Sequence, residues 1–285
     1  MNRLQWQGLV FSVIAIVTAL ASQFFAPADT LTSLIMIASL IFFLGVPHGA
    51  LDPLFAQKLL SISSWQSWLQ FTVVYLILVF LSIMIWWQFP LFFMIGFLLI
   101  SMLHFSKDLT SFTPVVSRLL YGGAVIVLPA LLHFDEIQRL FSLILNDDDG
   151  TKIASFLHVL AWPVVIALCC AILYELTKNW RSALEVVAVS LLSIFADPLI
   201  GFTLYFCCMH SLRHILRAQR YSQASFGKLL LISLAPMAGT VLIVILGWHY
   251  FPPSPDYARI VQVIFVLLAA LTLPHMLLIH RVKYV

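Results

Sequence analysis

The sequence predicts an all-α, polytopic integral membrane bundle of about ten transmembrane helices, with both termini cytoplasmic. Three observations carry that prediction. Hydrophobic residues make up 62% of the 285-residue chain and charged residues only 9%, against roughly 25% charged in an ordinary soluble domain. Apolar stretches recur from end to end, each near the roughly 20 residues a membrane helix needs, and a chain in hydrocarbon must close its backbone hydrogen bonds within helices. The basic residues also alternate between successive connections: Arg139, Lys152 and Arg259 fall on one side and the other twelve of the fifteen on the opposite side, which is then the cytoplasmic one.

Taken in order, the predicted spans are Leu9 to Phe25, Leu31 to Pro47, Trp68 to Trp87, Leu91 to Phe105, Val115 to His133, Ile153 to Leu176, Ala183 to Ala196, Leu199 to Leu216, Leu229 to Tyr250 and Ile260 to Ile279. The first follows Arg3 and resembles a signal peptide, but it is long and lacks a small-x-small cleavage site before Asp29, so it is read as a retained span. Phe89-Pro90 and Asp197-Pro198 are read as breaks between helices, because proline removes a helix donor. Asn146 to Gly150 is read as an acidic loop on the outer side. Trp86, Trp87 and Trp248 fall at outer ends and Trp65, Trp68 and Trp180 at inner ends, as interfacial aromatics do. With no soluble segment left over, residues 1–285 are read as one membrane-embedded catalytic domain. The net charge of +3 is dispersed among loops and gives no nucleic-acid footprint. Cys169-Cys170 and Cys207-Cys208 are adjacent pairs, poorly placed for ordinary bridges and read as free thiols.

The histidines give the chain its chemistry. His48, His104, His210, His214 and His275 all fall late in spans that run from outside to inside, so five imidazoles approach the cytoplasmic leaflet from four helices. His133, His158 and His249 fall at outer ends and His280 at the last inner boundary. Within His-Ser-Leu-Arg-His, His210 and His214 share a helix face with about 6 Å of rise between them, and burying such a pair without partners is costly. Arg213 between them points off that face and is read, with Arg217 and Arg220, as snorkelling to the headgroups.

In Gly45-Val-Pro-His-Gly-Ala-Leu-Asp52, Pro47 and Gly49 allow the helix to open and aim His48 inward. Asp52, four residues on, is placed to orient a metal-bound imidazole through its second nitrogen. The competing reading is a polar helix terminus, with His48 at the headgroups and Asp52 starting a turn. His104 in Ser-Met-Leu-His-Phe, taken alone, reads more readily as an interfacial residue than as a ligand. His275, after Pro274, is either a ligand or a hydrogen-bonded core histidine at a kink. Phe105, Tyr205, Phe206 and Met209 are candidate walls of an apolar tunnel, although such residues also pack helices.

Neutral imidazoles leave a divalent metal strongly Lewis acidic, and they suit iron, copper, nickel and zinc alike. A centre buried among helices is accessible to lipophilic substrates and to O2, which points to oxidation of a hydrocarbon. The chain has no GxSxG or HExxH motif, so the corresponding hydrolase readings lack their nucleophile or base. Two alternatives stay open. A membrane di-iron desaturase or hydroxylase also uses HxxxH but normally needs about twice as many clustered histidines. A haem-binding electron carrier or a transporter would use facing histidines without catalysis.

At these residues the chain resembles the Brp/Blh family of bacterial and archaeal membrane β-carotene 15,15'-dioxygenases. GVPHGALD, ISMLHF, YFCCMHSLRH and LTLPHM occur in family order, and the likeness covers most of the chain beyond the first span. The resemblance implies a multi-pass enzyme of the bacterial or archaeal cell membrane, surrounded by lipid. It would use Fe(II) and O2 to cleave the central double bond of β-carotene into two all-trans-retinal molecules. Carried over residue by residue, it implies His48, His104, His210 and His214 as iron ligands, with Asp52 holding one ligand ring and His275 either beside the ligands or among them. Where family members carry Gly after His-Phe and an Asp further on, this chain has Ser106 and Lys107 before Asp108, so no role is assigned to Asp108.

Overall fold

A computed structural model describes residues 2–24, 30–109, 113–250 and 255–282. Phe25, the expected end of the first span, and Lys283, one of the basic residues counted for topology, lie outside them. Among the described residues every regular element is helical. In chain order these are α1 (Arg3–Ala21), α2 (Thr30–Leu40), a π-helical segment (Ile41–Gly45), a 3-10 segment (Val46–Leu51), α3 (Asp52–Leu59), α4 (Trp65–Gln88) and α5 (Pro90–Phe105). There follow α6 (Val115–Val127), α7 (Pro129–Leu132), α8 (Phe134–Ile144), α9 (Asp147–Lys178) and α10 (Trp180–Phe195). The chain closes with α11 (Pro198–Leu204), a second π-helical segment (Tyr205–Ser211), α12 (Leu212–Ser222), α13 (Phe226–Tyr250) and α14 (Asp256–Ile279).

Seven helical runs are long and apolar enough to cross a membrane: α1, Leu31–Leu59, α4, α9, Pro198–Ser222, Phe226–His249 within α13, and α14. The other three predicted spans are helical but short: α5, α6 with α7, and α10. At 16 residues, α5 and α10 each reach about 24 Å, short of a hydrocarbon core of about 30 Å. Both predicted proline breaks are present, since α4 ends before Pro90 and α10 before Pro198.

Three expectations need correction. Phe134–Ile144 is a helix rather than part of a loop, with Ile137, Leu140 and Ile144 buried at the three- and four-residue spacing of an amphipathic helix. Only Asn146 of the expected acidic loop lies outside α9: its side chain caps Asp149 N–H at 2.9 Å, and Asp147, Asp148 and Asp149 form the first turn, where the helix dipole favours acids. Trp86 is buried at 7% exposure and its indole N–H donates to Ile144 O at 2.9 Å, so it ties α4 to α8 instead of marking an interface.

The interior is built on α10, where Ala183, Val186, Ala188, Val189, Ser190 and Ser193 are all buried. Small side chains let membrane helices approach closely, and α1 packs along this face. By contrast α4 and α13 bury few residues and present Val73, Val74, Ile77, Leu230, Leu231 and Ile245 outward, as lipid-facing helices do.

Candidate metal centre

Two irregular stretches make the centre. Pro47 cannot donate a backbone hydrogen bond, and around it the chain passes from a π turn into a 3-10 turn that carries His48. Opened backbone at membrane depth is tolerated only where protein satisfies it, and the second π segment, Tyr205–Ser211, packs against it and does so. Ser211 Oγ donates to Leu44 O at 2.6 Å and to Gly45 O at 3.1 Å, and Cys207 Sγ to Leu40 O at 3.5 Å. π turns of this kind recur at functional sites. Gly45 allows the approach: a Cβ there would lie 2.5 Å from the ring of Phe206.

Five histidines converge here: His48, His104 at the end of α5, His210 at the end of the second π segment, His214 on α12 and His275 on α14. All are buried, at 2 to 8% exposure. Ring centroids of His104 and His210 are 4.4 Å apart, those of His48 and His210 5.0 Å, and His275 lies 5.1 to 5.2 Å from His48, His104 and His214. Donor atoms of His48, His104 and His275 all lie within 4.8 Å of one another. Between ring centroids, His48 is 5.6 Å from His214 and 6.4 Å from His104. His275 is therefore as central as any residue of the quartet expected from the family resemblance. Elsewhere, His133 pairs with Glu136 and His158 Nδ1 donates to Ala130 O at 2.7 Å.

Partners fix which nitrogen of three rings faces the cluster. Since carbonyls and carboxylates only accept, Nδ1–H must donate from His48 to Gly45 O at 2.6 Å, from His210 to Asp108 Oδ2 at 2.8 Å and from His275 to Asp52 Oδ1 at 2.7 Å. Each Nε2 is left with its lone pair. Nε2 of His210, Nε2 of His275 and both ring nitrogens of His104 are buried without a hydrogen-bond partner, a costly state that a cation accepting one lone pair from each ring would relieve in large part. The donor set thus fits a divalent transition metal, and the carboxylate behind an imidazole is the usual outer support of such a ligand.

Asp52 and Asp108 stand in that position, behind His275 and His210. Asp52 also accepts from Tyr75 at 2.9 Å, and Asp108 from Tyr205 at 2.8 Å. The tight turn after α5, with Lys107 N–H donating to His104 O and Asp108 N–H to Phe105 O, brings the Asp108 carboxylate back to His210. Ser106 and Lys107 therefore leave the carboxylate within reach of the His210 ring.

Arg213 does not snorkel. Its side chain is 3% exposed, gripping Glu185 through two 2.9 Å bonds, Gln7 at 2.8 Å and Asp108 O at 2.6 Å. The pair fastens the helix that bears His210 and His214 to α10, α1 and the turn after α5. The clue in the sequence is Glu185, an acid inside the predicted span from Ala183 to Ala196, where charges are found paired.

One side of the centre opens on a cavity of about 580 Å³ between α4, the 3-10 segment, α13 and α14. His48, Asp52 and His275 line it together with apolar residues such as Phe71, Leu76 and Ile243. Of the four expected tunnel residues only Phe206 lines this cavity; its ring stacks on His210 at 5.7 Å and meets His48 edge-on at 5.2 Å. Phe105 packs on His210 from behind at 5.0 Å, Tyr205 holds Asp108, and Met209 is fully buried beside Gln7.

Fold and site together define a multi-pass membrane protein with a histidine-rich centre opening on an apolar cavity. Comparison with known proteins makes the class specific. Residues 39–283 match the family model described as Beta-carotene 15,15'-dioxygenase. A relative from Uncultured marine bacterium 66A03, named Beta-carotene 15,15'-dioxygenase, is 32% identical over 254 residues, covering 85% of this chain and 90% of its own. The chain belongs to the β-carotene 15,15'-dioxygenase family, a family of carotenoid-cleaving enzymes. No solved structure matches it.

Proposed function

We propose that this protein cleaves β-carotene at its central double bond with O2, giving two retinal molecules, at an iron centre in the cytoplasmic leaflet. The observation that carries the reading is the set of five converging imidazoles, three of them held through Nδ1 so that Nε2 keeps its lone pair, beside an apolar cavity that His48 and His275 line. His48, His104, His210 and His214 hold the metal in this reading, and the position of His275 adds it to the set. Fe(II), when bound, supplies the O2 chemistry. The reaction balances without a reductant, because the C=C bond breaks and each new aldehyde takes one oxygen atom of a single O2.

The protein's own part is alignment and exclusion of water. Asp108 and Asp52 keep the His210 and His275 rings in the tautomer that presents Nε2. Phe206, between His48 and His210 and facing the cavity, is the apolar surface against which the polyene lies. The 580 Å³ volume lies within the ordinary range for small-molecule pockets, about 300 to 1,000 Å³. The test is expression in carotene-producing cells: colour is lost as retinal accumulates, the purified protein holds about one iron per chain, and His210→Ala abolishes both. Retinal formation by His210→Ala at the wild-type rate would end this assignment of the centre. Two irons per chain would instead revive the desaturase reading.

A further inference from the structure

The cavity has a side mouth. Leu76 on α4 and Leu242 on α13 both line it and are nevertheless 51% and 58% exposed, so they stand at its opening, one on each helix. Thr72, Ala235 and Gly239 are likewise lining and exposed. On α4 the pair Thr72 and Leu76 is four residues apart, and on α13 Ala235, Gly239 and Leu242 follow at four and three, so each set is one face of its helix. α14 packs against α4, and the 3-10 segment against α13, but α4 and α13 make no extended contact with each other. A Cβ built on Gly239 meets nothing within 4 Å, so that point on the rim is open space.

The rim chemistry says which phase the mouth faces. Helix α4 contains no Asp, Glu, Lys or Arg, and α13 has none after Lys228. Around the mouth the outward residues are Val73, Phe80, Leu234 and Val241. A mouth framed this way faces acyl chains, since a water-facing opening would carry charged groups. From Ala235 to Leu242 it runs about 10 Å parallel to the helix axes, a slot that suits a narrow chain lying alongside lipid tails.

We propose that the carotenoid passes sideways from the bilayer into the cavity through the seam between α4 and α13, and that Gly239 sets the width of this passage. The proposal rests on the cleavage reading for the identity of the occupant. A long, rigid, apolar polyene dissolved in the membrane never needs to enter water on this route, and its retinal halves return to the bilayer by the same slot.

The test uses the full chain, loaded with iron, in phosphatidylcholine vesicles containing β-carotene. Gly239→Trp fills the open point, and Val241→Trp places the same bulk on an exposed α13 position that does not line the cavity. Gly239→Trp is expected to keep its iron and its unfolding temperature while carotenoid bound per chain and the initial rate each fall by about tenfold or more. Val241→Trp behaves as wild type, and Leu76→Ala, which widens the mouth, takes up carotenoid at least as fast as wild type. Undiminished uptake by Gly239→Trp, or a phospholipid or second copy of the chain held in the seam while uptake proceeds, overturns the route. The two readings fail separately. Carotenoid binding that is lost in Gly239→Trp, with no retinal formed even by wild type, supports the route and refutes cleavage.

Discussion

Removing Glu185 is the sharpest perturbation of the scaffold behind the centre. Glu185→Ala leaves the Arg213 guanidinium buried with only Gln7 and Asp108 O as partners, its two 2.9 Å bonds to carboxylate gone. Breaking a buried ion pair by deleting one partner costs about 3 to 5 kcal/mol. The lower end of that range, about 3 kcal/mol, applies here because Gln7 and Asp108 O still bond the guanidinium. For a chain of this size that is a fall of about 6 to 12 °C in unfolding temperature. Removing both charges, in Glu185→Leu with Arg213→Met, also removes the desolvation they impose and is expected to lie well above the sum of the single losses, with a coupling of roughly 2 to 3 kcal/mol. Unfolding of the detergent-solubilised protein, followed together with iron content, compares Glu185→Ala, the single variants Glu185→Leu and Arg213→Met, and the double variant. Because Arg213 sits between His210 and His214, iron retention should fall with stability in Glu185→Ala and recover in the double variant. Additive losses, or Glu185→Ala unfolding at the wild-type temperature, would refute this account of the pair.

Gly45→Ala puts a methyl group into the ring of Phe206, which rests on both His48 and His210, so it should destabilise the protein by about 1 to 3 kcal/mol and lower its iron content; wild-type values in a thermal shift and metal analysis would contradict that packing. Asp108→Asn preserves shape but removes the charge behind His210, and it is expected to weaken iron binding about 10- to 100-fold in competition with a chelator, while the unchanged cavity still takes up carotenoid. Removal of iron by a chelator should stop cleavage and leave carotenoid binding in place. Fe(II) should then restore activity where redox-inert Zn(II) does not.

What could be read from the sequence divides along a physical line. The spans, the proline breaks and the inward histidines depend on local properties: hydrophobic length, a missing N–H, a spacing of four. The partners of those histidines depend on contacts between residues far apart in the chain. Asp108 meets His210 across 102 positions and Asp52 meets His275 across 223, and no local pattern encodes such a pairing. Arg213 was misplaced because a basic residue near a helix end usually reaches for headgroups, and only Glu185 on another helix overrides that tendency. Phe134–Ile144 is a different kind of miss: its amphipathic spacing was visible, but it stands on the far side of a span that ends at His133 and was absorbed into the connection.

The paired carboxylates bear on why the centre is built from imidazoles. A divalent cation among neutral imidazoles carries its full charge into a medium where uncompensated charge is expensive. Carboxylate ligands would neutralise it but would also take up coordination positions and reduce its Lewis acidity. Asp52 and Asp108 place two negative charges one imidazole away instead, on different helices and behind different rings. Compensation on this plan is not complete, because Arg217 lies 3.7 Å from Asp108 Oδ1 and draws on one of the two charges. The Arg213–Glu185 pair, by contrast, is neutral as a unit and adds nothing to the balance. Asp52 is thus left as the less divided counter-charge, and it sits with His275 on the side of the centre that faces the cavity. With a metal bound as proposed, charge compensation and an open approach for an apolar substrate would be met together on that side, without a carboxylate among the ligands.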